Sequence, residues 1–79
     1  MIIKFIKEHF DCWLEYAKTP NNDMDACSCY HTAHGLAIMA TDMARKLGDF
    51  HLSTKIANLW DDTYRELFLQ ACREEWVRQ

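Results

Sequence analysis

The chain has 79 residues, of which 49% are hydrophobic and 27% charged, and its formal net charge is −3. This length allows a single domain, residues 1–79, and the composition is that of a folded rather than a disordered protein. The mild negative charge argues against a nucleic-acid-binding protein, which normally presents a basic surface. With only two Gly and one Pro to make turns, the chain is predicted to consist of a few long helices.

Residues 2–18 are predicted to form the first helix, because their apolar side chains recur at the spacing of one helix face. Thr19-Pro20 ends it, since the residue before a proline avoids the α conformation. His9 falls within the apolar face and is predicted to be a core histidine. The predicted core face consists of Ile2, Ile3, Phe5, Ile6, Phe10, Trp13, Leu14, Tyr16 and Ala17.

The second helix is predicted over residues 23–47. Asn22 or Asp23 would cap its start, and Gly48 follows its last turn, where glycine readily adopts the left-handed conformation. Ala26, Ala33 and Ala40 lie seven residues apart on the core face. Because their side chains are small, a neighbouring helix can approach closely there. This face consists of Ala26, Cys29, Tyr30, Ala33, Leu36, Ala37, Ala40, Met43, Ala44 and Leu47.

The third helix is predicted over residues 50–76, with Asp49 as its N-terminal cap. Near its end the pattern changes: a pair of glutamates falls on the core side, while Leu69, Cys72 and Trp76 line up on the formerly polar side. Either the helix ends near Cys72 or its final turns contact a different neighbour. The predicted core face consists of Leu52, Ile56, Leu59, Trp60, Tyr64, Leu67, Phe68 and Ala71.

These helices are predicted to pack as an all-α, antiparallel three-helix bundle. A compact monomer of this length has a diameter of about 30 Å, whereas the third helix would be about 40 Å long. The third helix must therefore break, with residues 61–63 as a new cap, or overhang and pair with another chain. The shortness of the first helix favours overhang, and so a homodimer.

One cluster of potential metal ligands occurs in the second helix. On a helical wheel Cys27, His31 and His34 fall within about 60° of one another, so the three side chains could share a zinc ion. Structural zinc sites usually separate Cys pairs from His pairs by a loop, and this chain lacks that arrangement. The favoured interpretation is that these side chains border the core without a metal.

Cys27 and His31, with Asp23 one turn earlier, also have the residue types of a nucleophilic site. A single small helical layer offers neither an oxyanion hole nor a sizeable pocket, so no enzymatic activity is predicted. The four cysteines, without a signal segment, indicate reduced thiols and a cytoplasmic protein. No stretch approaches the roughly 20 apolar residues that span a membrane.

The stripe on the last turns of the third helix is predicted to be a contact surface, because Trp and Arg are enriched at interface hot spots. The predicted partner-binding residues are Arg65, Phe68, Leu69, Cys72, Arg73 and Trp76. The sequence therefore favours a small protein–protein interaction module, a regulator or inhibitor of the kind found among phage and mobile-element accessory proteins. The alternative function is a metal-binding helical module that uses Cys27, His31 and His34.

Overall fold

The computed structural model describes residues 2–19 and 24–78, and it confirms an all-α three-helix bundle without strands in these ranges. Two helices precede a third, long helix that spans residues 50–78 and contains a π-helical turn. The elements are α1 (Ile2–Lys18), α2 (Ala26–Lys46), α3 (Phe50–Leu59), the π-helical turn (Trp60–Tyr64) and α4 (Arg65–Arg78).

The start of α2 is set by Asp25, whose Oδ1 accepts a hydrogen bond from the amide of Ser28 at 2.7 Å. This bond satisfies one of the amides that a helix N-terminus leaves without an intrahelical partner. It also holds the pKa of Asp25 below its ordinary value. Asn22 and Asp23, the predicted caps, lie outside the described residues. The helix begins at Ala26, three residues later than the sequence predicted.

The turn between α2 and α3 follows the sequence prediction. Gly48 has a φ of 83°, the left-handed conformation that glycine adopts without strain. Asp49 caps α3, because its Oδ1 accepts the amide of Leu52 at 3.0 Å. Just beyond the turn, the hydroxyl of Ser53 donates to the carbonyl of Thr41 at 3.0 Å, which joins the two antiparallel helices.

The third helix does not break at residues 61–63. It widens instead into a π-helical turn, in which the amide of Arg65 donates to the carbonyl of Trp60. Side chains four residues apart drift by about 40° around an ordinary α-helix. The wider turn offsets this drift and keeps Trp60, Tyr64 and Phe68 on the buried side.

The core is aromatic around the π-helical turn and rich in alanine along α2. The ring of Phe10 lies 5.0 Å from that of Tyr64 and 5.4 Å from that of Trp60. Small side chains on α2 leave room for these rings. The buried apolar residues are Ile6, Phe10, Leu14, Ala17, Ala26, Cys29, Ala33, Ala37, Ala44, Ile56, Trp60, Tyr64, Phe68 and Ala71.

The predicted core faces are wider than the core that forms. His9 is exposed rather than buried, and its ring lies 5.0 Å from that of Phe5. Ser53, which the sequence analysis left out of the core, is buried. Three helices enclose only one core, so each helix buries a narrow stripe of its apolar face. The predicted core residues found exposed are Ile2, Phe5, Tyr16, Met43, Leu47 and Leu67.

The molecule is a rod of 45 × 18 × 16 Å with a radius of gyration of 13.3 Å. The long third helix therefore fits within the length of a single-chain bundle, because the bundle is elongated rather than spherical. None of the described helices combines the length and the hydropathy needed to cross a bilayer.

The register of α1 follows from two contacts with the third helix. The hydroxyl of Tyr64 donates to a carboxylate oxygen of Asp11, and Lys18 shares a small groove with Gln70. These contacts show that α1 runs parallel to the third helix. Ile2, nine residues before Asp11, is thus level with about residue 55. The hairpin of α2 and α3 extends beyond the start of α1.

Candidate interaction surface

Six large apolar side chains are exposed near the end of the bundle where α2 turns into α3. Their exposed fractions range from 54% to 83%. We call them the hairpin-end surface; they are Ile2, Phe5, Met39, Met43, Leu47 and Phe50. Met43, Leu47 and Phe50 lack cover from α1 because the α2–α3 hairpin extends past its start.

The members of this surface on α1 and α2 face the same side of the bundle. Asp11 marks the side of α1 that meets the third helix, and Phe5 lies about 120° around the helix from it. Thr41 marks the corresponding side of α2, and Met43 lies about 160° from it. Both apolar side chains therefore point away from the third helix and border the face where α1 meets α2.

An uncharged stripe continues this surface along α1. Phe5, His9 and Cys12 follow one another at three- to four-residue spacing, and all three are exposed. The Lys and Glu side chains of α1 lie on another part of the helix. The sequence analysis assigned Phe5 and His9 of this stripe to the core. The sequence feature that could have shown their exposure is the breadth of the apolar face, which is wider than one helix can bury against two neighbours.

The predicted partner-binding residues fall into three environments. Phe68 is fully buried within the core, which agrees with its place on the predicted core face and leaves it unavailable as a contact residue. Leu69 and Cys72 are half-buried. Arg65 and Trp76 are exposed, and 80% of the surface of Trp76 is accessible.

Arg73, the remaining predicted contact residue, is exposed and already has an ionic partner. Its Nη2 lies 2.8 Å from Oε1 of Glu66 on the same helix. Both side chains are solvent-exposed, so this pair contributes little to stability. Arg73 lies at the rim of the groove next to Trp76.

That groove, of 360 Å³, lies between the start of α2 and the end of α4. Glu75 Oε2 accepts the amide hydrogen of Ala26 at 2.6 Å, so a carboxylate from α4 caps the N-terminus of α2. Cys27 and Cys72 both line this groove, and burial together with a hydrogen bond to Cys27 raises the pKa of Cys72 to about 12. Burial and nearby carboxylates also raise the pKa of Cys29, which lies in the core.

The predicted zinc ligands do not converge. Cys27 contacts Cys72, whereas the ring of His34 stacks on that of Trp60 at 5.3 Å with an angle of 6° between them. His31 is exposed. Within residues 2–19 and 24–78, no three His, Cys, Asp or Glu side chains form a group that could hold a metal ion. The three residues lie within a small angle on a helical wheel, but the seven-residue spacing places Cys27 and His34 about 10 Å apart along the helix axis.

A second cleft, of 220 Å³, lies beside Trp60 between α2 and the third helix. Asp42 and Arg45 form an ion pair of 3.5 Å at its edge. Nε1 of Trp60 is buried and has no hydrogen-bond partner among the described residues. The cleft contains no cysteine or serine, and Asp23 of the predicted nucleophilic trio lies outside the described residues.

Comparisons with protein-family models, with curated proteins and with solved structures gave no match. The assignment of a function therefore depends on the surfaces described above.

Proposed function

We propose that this chain is a small protein–protein interaction module, a regulator or inhibitor that docks on a protein partner through the hairpin-end surface. The observation that supports it is the exposure of six large apolar side chains, between 54% and 83%, on one end of the bundle. Extended apolar patches on small proteins are typical of protein interaction sites. The module acts by binding rather than by catalysis.

The chemistry of the hairpin-end surface suits a protein partner. Burying a Leu, Ile, Met or Phe side chain fully contributes about 1.5–3 kcal/mol, so covering several of these six offsets the entropy lost on association. Met39 and Met43 add adaptable side chains that fit irregular apolar partners. The partner is thus a protein with an apolar groove or helix of little charge.

A second copy of the chain is one such partner, which gives a homodimer. Its twofold axis would pass near the hairpin-end surface, where each copy covers the apolar side chains of the other. A cytoplasmic location is part of the same proposal. Its support is that Cys12, Cys27, Cys29 and Cys72 are all free thiols, the usual state in a reducing compartment.

The test compares a double variant, Met43→Lys with Phe50→Lys, against the control Asn58→Lys. All three positions are exposed, so none of these changes places a charge in the core. Sedimentation at micromolar concentration should give about 19 kDa for the native chain and the control, twice the mass of the 9.4 kDa chain. The double variant should sediment as a monomer of unchanged helicity.

The partner is tested by immobilising the same three proteins and exposing them to extract from the source cells. A protein retained by the native chain and by Asn58→Lys, but lost with the double variant, supports docking through the hairpin-end surface. Equal retention by all three, together with an unchanged sedimentation coefficient, would show that this surface is not used.

A further inference from the structure

The thiols of Cys27 and Cys72 lie together at the end of the bundle opposite the hairpin-end surface. Cys27 lies in the first turn of α2 and Cys72 lies on the neighbouring part of α4, close enough for the Cys27 thiol to affect the pKa of Cys72. Both line the same groove. The two helix segments are held side by side by a second contact, the hydrogen bond of 2.6 Å from the Ala26 amide to Glu75.

The other two cysteines lack this arrangement. Cys29 is fully buried in the core, and Cys12 is exposed on α1. Cys27 is exposed whereas Cys72 is half-buried. A reagent in solution can therefore reach the sulfur of Cys27, and the less accessible sulfur of Cys72 lies next to it.

We propose that Cys27 and Cys72 are a redox-active pair that forms a reversible disulfide and fastens the first turn of α2 to α4. The co-reactant is a low-molecular-weight disulfide such as glutathione disulfide. This inference is independent of the docking function, because it concerns the opposite end of the bundle.

The chemistry proceeds in two exchange steps. The Cys27 thiol loses its proton and attacks one sulfur of glutathione disulfide, which forms a mixed disulfide and releases one glutathione thiolate. The Cys72 thiol then loses its proton, attacks the Cys27 sulfur and expels the second glutathione thiolate. The two protons restore the two glutathione thiols, so the protein loses two electrons and glutathione disulfide gains them.

The burial of Cys72 shapes the second step. Burial and its hydrogen bond to Cys27 raise the pKa of Cys72, so this thiol stays protonated at neutral pH while the exposed Cys27 meets the oxidant first. Cys72 therefore acts as the resolving thiol, and Cys27 is the entry point for the oxidant. Once formed, the disulfide closes a loop of about 46 residues and restricts the unfolded chain.

The experiment incubates the native chain with glutathione disulfide and measures mass, thiol content and melting temperature. The expected product is a monomeric chain lighter by two hydrogen atoms, with two reactive thiols instead of four after denaturation. Peptide mapping should find Cys27 joined to Cys72. The melting temperature should rise by about 10 °C or more and return to its initial value with dithiothreitol.

Cys27→Ser and Cys12→Ser are the matched controls, because both replace an exposed cysteine. Cys12→Ser should oxidise as the native chain does, whereas Cys27→Ser should keep its remaining thiols reduced and show no rise in melting temperature. A stable glutathione adduct on Cys27 without the second step, or a disulfide that joins two chains through Cys12, would overturn the proposal.

Discussion

The third helix carries two tryptophans in opposite settings. Trp60 is 3% exposed and packs against the rings of Phe10, Phe68 and His34, whereas Trp76 is 80% exposed. Each tryptophan belongs to an apolar stripe of the third helix. The difference arises from the neighbours that the rest of the chain supplies at each level of the rod.

The register of α1 explains this difference. Since Asp11 is level with Tyr64 and the two helices run parallel, the last residue of α1, Lys18, is level with about residue 71. Beyond that level α2 is the one described helix beside the third helix, and Trp76 lies past the end of α1. Burial in this small bundle therefore depends more on the length of the neighbouring helix than on the apolar character of a side chain.

The largest expected effect is that of Trp60→Ala. The indole is nearly fully buried among aromatic rings, so its removal leaves a cavity and should lower the free energy of unfolding by about 3–5 kcal/mol. A bundle of this size has little stability to spare. Urea denaturation followed by circular dichroism should show a chain that is largely unfolded before urea is added.

Trp60→Phe sharpens this test. It keeps most of the apolar contact and removes the buried Nε1–H, which has no partner among the described residues. We expect a much smaller loss of stability than for Trp60→Ala. A native-like melt for Trp60→Ala would contradict the central place of this ring in the core.

An intermediate effect is expected at the groove beside Trp76. Glu75→Ala removes the carboxylate that accepts the Ala26 amide, which leaves a helix N-terminus without a partner for that amide. The expected loss is about 1–2 kcal/mol in free energy of unfolding. The adjacent Glu74→Ala is the control, because Glu74 is exposed and should change stability little. Equal effects of the two variants would show that the cap is not stabilising.

The helices themselves could be predicted from the sequence to within a few residues. Apolar spacing, Gly48 and Asp49 placed the ends of α1 and the turn between α2 and α3 correctly. The π-helical turn could not be predicted, because a pattern analysed at 3.6 residues per turn assumes the geometry that this turn changes. The start of α2 moved to Ala26, because Asp25 rather than an earlier residue provides the cap.

The surfaces were less predictable than the helices. The sequence shows which side chains are apolar, but burial also depends on where a neighbouring helix ends and which side of a helix it covers, and Phe5 and Met43 lie outside the core. Likewise, the sequence analysis placed Glu75 on the core side of the third helix without a role, although its carboxylate caps another helix. Contacts between residues so distant in the sequence leave no periodic signal.

The smallest effect on stability is expected for Trp76→Ala. With 80% of the side chain exposed, little apolar surface returns to water, and the free energy of unfolding should change by less than about 0.5 kcal/mol. Partner retention by Trp76→Ala, measured beside the Met43→Lys, Phe50→Lys variant, then distinguishes the two ends of the bundle. If Trp76→Ala alone abolishes retention, docking occurs at the end of α4 as the sequence predicted. If only the double variant abolishes retention, Trp76 does not contact the partner, and the partner docks on the hairpin-end surface.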